Sequence, residues 1–189
     1  MLGQLDPAVE LAGEERRLAV LRRMLPQHGY WVTSALRRTR DTAAAIATAG
    51  NCGLNPSVEP GLNEQHFGAW QGLTYDEIAQ SDAAESRRVW AAPEREAPPG
   101  GESFGVLVQR VGEAIERITA AADAEDVVAV AHAGTIRAAL ALALDLKLER
   151  ALSFAVDPLS VTRIDRFTFG RGETGYRVAC VNFDPAGYK

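Results

Sequence analysis

The sequence predicts an α/β fold: a three-layer sandwich with a mostly parallel central sheet, helices on both faces and a C-terminal antiparallel hairpin. Residues 127–131 form a continuous apolar run, which is typical of a parallel strand covered on both faces. Segments with helical apolar spacing alternate with strand-like segments, as expected for strands joined by helices. The length of 189 residues suits one such domain better than two, so we expect residues 1–189 to form a single domain.

The first half of the chain is predicted to contain two helices and two short strands. Apolar residues recur at helical spacing over residues 7–25, before a proline and a glycine that end the helix. Residues 30–33 are aromatic and β-branched, which indicates a buried strand, and a helix follows over residues 36–49. Val58 is predicted to belong to another short strand.

The second half begins with a polar, Pro/Gly-rich stretch at residues 80–102, which we predict to be an irregular excursion of the kind that forms binding loops. A hairpin is predicted at the C-terminal end, because two strand-like segments flank a glycine-rich turn. The predicted elements are a helix over 103–122, a strand over 127–131, a helix over 135–144, and hairpin strands over 160–169 and 176–183 around a turn at 170–175.

Composition excludes several classes of protein. Twenty basic and 25 acidic residues give a net charge of −5, which argues against a nucleic-acid or anionic-membrane partner. The longest apolar runs are far too short for a membrane helix. Two cysteines, Cys52 and Cys180, predict neither a disulfide framework nor a metal site. We therefore expect a cytoplasmic protein without a metal.

An arginine and a histidine follow the two predicted buried strands, where open α/β sheets bind ligands. Arg38 lies in the first turn of a helix, so its guanidinium fork combines with free helix amides to suit an anion. An arginine cluster is also compatible with an ordinary solvated face. His132 follows strand 127–131 and precedes a glycine and a helix start, which suits donation to an anion. A satisfied core histidine is the alternative.

Glu64 lies in a segment, residues 61–72, that also carries glycine, tryptophan and glutamine. A carboxyl group buried there beside a bound phosphate would serve as a general acid. The alternative is a turn with an ordinary surface glutamate.

Taken together, these segments resemble the histidine phosphatase superfamily, in its phosphoglycerate mutase-like group. The stretch around Trp70 is similar to the small phosphatases of the α-ribazole phosphatase type. The order and spacing of the matching segments agree with the family along essentially the whole chain. The matching segments are residues 3–6, 33–43, 62–72, 99–103 and 130–134.

The resemblance implies a phosphomonoester hydrolase that acts through a phosphohistidine on a small phosphorylated metabolite, without a metal or cofactor. Arg38 and His132, with Ala133, would bind the phosphoryl oxygens. Glu64 would protonate the leaving oxygen and then take a proton from the attacking water. A homodimer is kept as an alternative to a monomer. Further pocket residues implied by the motifs are Ser34, His66, Glu102 and Ser103.

The family's first strand, which ends in Arg-His-Gly or Arg-His-Ala and carries the nucleophile, is absent from this sequence. None of the three histidines, His28, His66 and His132, occupies that place. One explanation is that the native protein begins upstream of Met1 and is an ordinary phosphatase. The other is a non-catalytic relative that binds phosphorylated ligands. We favour the first, because Glu64 would only repel phosphate in a pure anion binder.

Phosphoglycerate mutase-type phosphotransfer is a third alternative, but the chain lacks the longer insertions of those relatives. By resemblance, the absent strand lies between the strands at 127–131 and 160–169. Its removal leaves two unpaired edges roughly 9–10 Å apart, twice the strand spacing. Either those strands pair directly, another chain supplies the strand, or the protein is poorly stable.

Overall fold

The computed structural model describes residues 1–50, 53–170 and 173–187. Three parallel strands form a sheet in the order β2-β1-β3, where β1 is Tyr30–Thr33, β2 is Ser57–Val58 and β3 is Val127–Val130. The register aligns Thr33 with Val130, so β1 and β3 end at the same edge of the sheet. Residues that follow these two strands are therefore brought together.

An antiparallel pair, β4 (Val161–Thr168) and β5 (Thr174–Phe183), forms a second sheet. This pair confirms the predicted hairpin. Its turn is closed by a hydrogen bond of 2.7 Å from the Phe169 amide to the Glu173 carbonyl. β5 begins at Thr174, two residues earlier than predicted, so the end of the predicted turn at 170–175 belongs to the strand. Residues 171–172 lie outside the described residues.

Helices lie on both faces of the parallel sheet. Trp31 packs with Leu18 and Ile46 on one face, and Val32 packs with Ile118 on the other, because successive strand residues point in opposite directions. The mixed α/β fold with helices on both faces is thus confirmed. The helices of the described residues are α1 (Glu15–Met24), α2 (Arg37–Ala49), α3 (Tyr75–Ser81), α4 (Ala83–Ala91), α5 (Phe104–Ala121), α6 (Ala133–Leu144) and α7 (Leu148–Ala151).

The largest apolar cluster joins α5 to α6 and α7. Leu107 and Val111 of α5 are fully buried, and they pack against Ala138 and Ala141 of α6. Small side chains on α6 let the two helices approach closely. The packing fixes the N-terminal end of α6, which follows β3, relative to α5.

The first helix is shorter than the sequence predicts. Its periodic apolar pattern extends back to residue 7, but α1 begins at Glu15. Gly13 has a φ of 87°, in the left-handed region, which is incompatible with a continuous right-handed helix. A local turn precedes it, in which the Ala12 amide donates to the Glu10 side chain at 2.9 Å.

The prediction of an irregular excursion at residues 80–102 is wrong for its first half, which forms α4. Asp82 caps this helix: its carboxylate accepts hydrogen bonds of 3.0 and 2.9 Å from the amides of Ala84 and Glu85. Val89 is buried in a cluster with Trp70. The ring centroids of Trp90 and Trp70 also lie 5.8 Å apart. The cap and these apolar contacts stabilise a helix whose own apolar pattern is weak.

A cleft separates the two sheets. In the described part of the chain, β3 pairs only with β1 and β4 pairs only with β5. Residues of β3 and β4 line a common cavity of about 2240 Å³. Direct pairing of these strands, one of the three predicted outcomes, is therefore wrong.

The described helices include none with the length and apolar composition needed to cross a membrane. Across residues 1–50, 53–170 and 173–187, no group of three or more His, Cys, Asp or Glu side chains is arranged to hold a metal ion. The Cys180 thiol donates to the Val161 carbonyl at 3.8 Å. Cys52 lies outside the described residues.

Candidate active site

Three segments meet at the edge where β1 and β3 end. β1 leads through Ser34 to Arg38 in the first turn of α2, and β3 leads to His132 immediately before α6. The segment that contains Glu64, which we call the acid loop (residues 61–72), follows β2. The Ala35 amide donates to the Asn63 side chain at 2.9 Å, which links this loop to the turn after β1. The cavity lining includes the side chains of Arg38, Glu64 and His132.

Arg38 is the centre of this cluster. Its Nε donates to His132 Nδ1 at 3.2 Å, and its Nη1 and Nη2 donate to the carbonyls of Leu5 and Gly3, each at 2.7 Å. A guanidinium has five N–H groups, so two have no acceptor among the described residues. Burial lowers the pKa of Arg38, while the charges of Glu64 and Asp6 oppose that shift. Arg38 remains a cation with free donors at the cavity.

His132 is 7% exposed, and burial, followed by the charges of Arg38 and Arg110, lowers its pKa to about 3. The imidazole is therefore neutral at physiological pH. Nδ1 accepts a hydrogen bond from Arg38, so the single ring proton resides on Nε2. Nε2 lies 2.8 Å from Ser34 Oγ, to which it donates.

The polar chain behind His132 has one consistent direction of donation. Ser34 Oγ lies 2.8 Å from Thr39 Oγ1, which in turn donates to the Leu36 carbonyl at 2.8 Å. Ser34 therefore accepts from His132 and donates to Thr39. Because Ser34 and Thr39 are buried, this chain fixes the imidazole ring from behind and leaves its Nδ1 edge toward Arg38.

Glu64 is held over the N-terminus of α6. Its Oε1 accepts from the Gln65 amide at 2.8 Å, and its Oε2 accepts from the Gly134 amide at 3.1 Å. Burial raises the pKa of Glu64, although the two amides and the charges of Arg38 and Arg137 oppose the rise. The carboxyl group therefore keeps its proton to higher pH than a surface glutamate, as a general acid requires.

Gly134 allows this close approach. A Cβ at this position would collide with Glu64 Oε1 and lie 3.1 Å from its Cδ atom. Any larger residue here would displace the carboxyl group from the helix terminus. The glycine after His132 and Ala133 thus has a steric role in placing the acid.

The N-terminal residues close the cluster from the other side. Asp6 accepts from the Arg37 amide at the start of α2 at 2.7 Å. The Gln4 amide donates to Gln71 Oε1 at 2.7 Å, and the Gln4 side chain donates to the Glu64 carbonyl at 3.0 Å. Residues 3–6 therefore connect α2 to the acid loop.

The remaining residues implied by the motifs have different positions. Ala133 lines the cavity, whereas Ser34 is buried behind His132. The His66 amide donates to Glu102 Oε1 at 2.9 Å, so Glu102 holds the acid loop from behind. Ser103 caps α5. His66, Glu102 and Ser103 are not among the residues that line the cavity.

Arg110 is a residue of this region that the sequence analysis does not single out. It lies on α5 among the buried positions Leu107, Val111 and Ala114, and its side chain is 22% exposed. The sequence signal that could have identified it is the position of this arginine, at helical spacing among the apolar residues of α5. It contacts the acid loop rather than the cavity.

A cation, a neutral imidazole and a protonatable carboxyl group around one cavity at the carboxyl ends of parallel strands suit the binding of an oxyanion in an α/β protein. The sequence profile described as histidine phosphatase superfamily (branch 1) matches residues 1–176. The chain belongs to this superfamily.

Similar proteins include phosphatases. A glucosyl-3-phosphoglycerate phosphatase of Mycolicibacterium vanbaalenii is 34% identical over 157 residues, which are 79% of this chain and 68% of that protein. A bifunctional protein of Mycobacterium tuberculosis is 40% identical over 114 residues, 60% of this chain, and the match spans only 30% of that protein. The structure of a mycobacterial glucosyl-3-phosphoglycerate phosphatase superimposes with a TM-score of 0.81 at 27% identity and covers 97% of this chain and 92% of that chain.

Proposed function

We propose that this protein hydrolyses a small phosphate monoester, with Arg38, His132 and the start of α6 around the phosphoryl group. The observation that carries the proposal is the placement of Glu64: a carboxyl group with a raised pKa accepts from Gly134, two residues after His132, which itself contacts Arg38. A protonated acid beside an anion site is useful for donating to a leaving oxygen. The phosphatase relatives support a phosphorylated metabolite as the substrate class.

The proposed reaction has two displacements. A histidine nitrogen attacks phosphorus, the bond between phosphorus and the ester oxygen breaks, and Glu64 gives its proton to the departing alcohol. Water then attacks the phosphorus of the phosphohistidine, and the Glu64 carboxylate takes a proton from that water. The bond between phosphorus and the histidine nitrogen breaks, which releases phosphate and restores the histidine. Arg38 stabilises the negative charge on the phosphoryl oxygens in both steps.

The nucleophile is proposed to lie outside residues 1–189, on a strand that occupies the cleft between β3 and β4. Among the described residues, β3 and β4 each have one edge without a partner strand, and an added strand in the cleft would pair with both edges. Ser160, which lines the same cavity, has a buried hydroxyl with no partner among the described residues. A backbone passing through the cleft would supply such a partner.

The alternative is a non-catalytic protein that binds phosphorylated ligands. The observation in its favour is that His132 is the one histidine among the cavity-lining residues described, and both of its ring nitrogens are already hydrogen-bonded. The described residues by themselves therefore offer an anion site rather than a nucleophile.

Turnover of p-nitrophenyl phosphate by this chain and by a chain extended with the in-frame upstream residues distinguishes the two functions. We expect turnover only from the extended chain, together with an acid-labile phosphoenzyme after rapid quenching. Equal turnover by both chains would contradict the external nucleophile. Inactivity of the extended chain despite tight phosphate binding would favour the non-catalytic alternative.

Anion binding is expected to be coupled to proton uptake by His132. An anion between Arg38 and His132 replaces the bond from Arg38 Nε to His132 Nδ1, and its charge raises the lowered pKa of the imidazole. Because the free imidazole is neutral above about pH 3, a ring whose pKa the anion raises past the working pH takes up its Nδ1 proton during binding, and we expect this uptake near pH 5.

Calorimetry with sulfate, a tetrahedral dianion that does not itself titrate in this range, measures this uptake. Titrations near pH 5 in two buffers of different ionisation enthalpy should give different heats, in a Glu64→Gln background that removes the other titrating group. His132→Gln should abolish the difference. Identical heats in both buffers before that substitution would show that His132 takes up no proton.

A further inference from the structure

We infer that Arg110, paired with Glu102, is a positioning residue that fixes the acid loop so that Glu64 reaches the start of α6. The inference rests on the proposed function, because positioning matters only if Glu64 is the acid. Arg110 Nη1 donates to the carbonyls of Gly61 and Asn63 at 2.8 and 2.7 Å, and its Nη2 donates to the Glu64 carbonyl at 3.0 Å. One side chain therefore binds three carbonyls within four residues of the loop.

Glu102 holds the guanidinium in place. Arg110 Nε donates to Glu102 Oε2 at 3.0 Å, and Nη2 donates to Glu102 Oε1 at 2.6 Å, which is a bidentate ion pair. The exposed fractions of the two side chains are only 22% and 14%. Low exposure and a fork geometry make this pair far more rigid than a surface ion pair.

The same glutamate binds the other side of the loop. Glu102 Oε1 also accepts from the His66 amide at 2.9 Å, and the Glu102 carbonyl accepts from the Gln65 side chain at 2.9 Å. The Glu102 amide donates to the His66 carbonyl at 2.8 Å. Arg110 thus holds residues 61–64 and Glu102 holds residues 65–66. The Glu64 side chain extends from the middle of this segment.

The support for Arg110 is α5, which has six buried residues. Leu107 and Val111, three residues before and one residue after Arg110, are fully buried against α6. α6 is also the helix whose Gly134 amide donates to Glu64. The packed pair of α5 and α6 therefore positions both groups: α5 holds the acid loop through Arg110, and α6 carries the Gly134 amide that Glu64 accepts from.

A lysine at position 110 retains the charge but lacks the fork, so it cannot bind three carbonyls and a carboxylate together. A methionine removes both charge and donors, so the Gly61 carbonyl loses its Arg110 donor. The Asn63 and Glu64 carbonyls then keep only their bonds from Thr135 and Gln4. Loss of alignment by about 1 Å is enough to reduce a reaction by about 10²-fold. The effect should fall on the step that needs proton donation and should spare anion binding.

Two measurements test the inference. In this chain, the NMR shift of the Gly134 amide should follow the titration of Glu64 through their hydrogen bond. Arg110→Met, Arg110→Lys and Glu102→Gln should each weaken that response, while phosphate affinity changes less than about twofold. The matched control is Gln109→Met on the same helix, where an exposed side-chain hydrogen bond to Glu113 is lost and the response of Gly134 should be unchanged.

In the turnover-competent protein, the Arg110 variants should lose about 10–100-fold in kcat for an alkyl phosphate. They should lose much less for p-nitrophenyl phosphate, whose leaving group needs little protonation, and Arg110→Lys should be intermediate. Equal losses on both esters, or an unchanged Gly134 response in folded Arg110→Lys and Glu102→Gln, would overturn the inference. Absence of turnover in the parent would instead count against the proposed function, and the Gly134 measurement would still decide the role of Arg110.

Discussion

Replacing Glu64 with glutamine should lower the turnover of an alkyl phosphate by about 10²–10⁴-fold in the catalytically complete protein. Glutamine keeps the size of the side chain but has no proton to give to the departing alkoxide. Phosphate affinity should be retained or increased, because the substitution removes an acid that is negatively charged when ionised. The comparison of an alkyl phosphate with p-nitrophenyl phosphate measures how much of the loss arises from leaving-group protonation.

The pH profile gives a second signature of Glu64. Burial raises its pKa above the usual value of 4.5, so the protonated acid persists to higher pH and is lost as pH rises through the raised pKa. The kcat for the alkyl phosphate should therefore fall on the alkaline side, and Glu64→Gln should remove that limb. Glu113→Gln, at an exposed side chain of α5 that bonds Gln109 outside the cavity, is the matched control and should leave both rate and profile unchanged. An alkaline limb that survives in Glu64→Gln would assign the acid to another group.

Replacing Arg38 with alanine should weaken the binding of inorganic phosphate by about 10–100-fold, even in the 189-residue chain. Arg38 supplies the cation and the free N–H donors nearest to His132, and a hydrogen bond to a charged group contributes more than a neutral one. In the complete protein, kcat should fall by about 10²–10³-fold, because negative charge on the phosphoryl oxygens loses its donor.

The neighbouring Arg37 offers a matched control. Its side chain is 59% exposed and pairs with Asp41 on the helix surface, so Arg37→Ala should change phosphate affinity by less than about twofold. Arg38→Lys should fall between alanine and the parent, since it retains the charge without the fork. Calorimetry that finds the same phosphate affinity for Arg38→Ala and the parent would refute the role of Arg38.

Elements with a strong local pattern could be predicted from the sequence. The apolar stripe of α5 and the continuous apolar run of β3 identify these elements within one or two residues. The prediction that β3 is covered on both faces is wrong for the described residues: Val128 is buried, whereas Val127 and Ala129 on the opposite face are exposed and line the cavity. The convergence of Arg38 and His132 also follows, since parallel strands end at one edge of the sheet. The placement of Glu64 at this site could be predicted only with the family resemblance, because the two-residue strand before it has almost no recognisable sequence pattern.

Other features could not be predicted, because they depend on contacts distant in sequence. α4 depends on a cap at Asp82 and on burial of Val89 against the cluster that contains Trp70. The hydrogen bonds from Arg110 to the acid loop join positions that are 46 to 49 residues apart in sequence, and no local pattern reveals such contacts. The neutral form of His132 is likewise a result of burial beside two arginines.

A crystal structure of this chain with vanadate or phosphate tests most directly whether the three segments form one anion site. We expect the anion to contact Arg38, the imidazole of His132 and the first amides of α6, with the Glu64 carboxyl group within hydrogen-bonding reach of one oxygen. Arg38 should then have exchanged its bond to His132 for bonds to the anion. An anion bound elsewhere at saturation, with Arg38 still donating to His132 and the cavity holding only solvent, would contradict the proposed site.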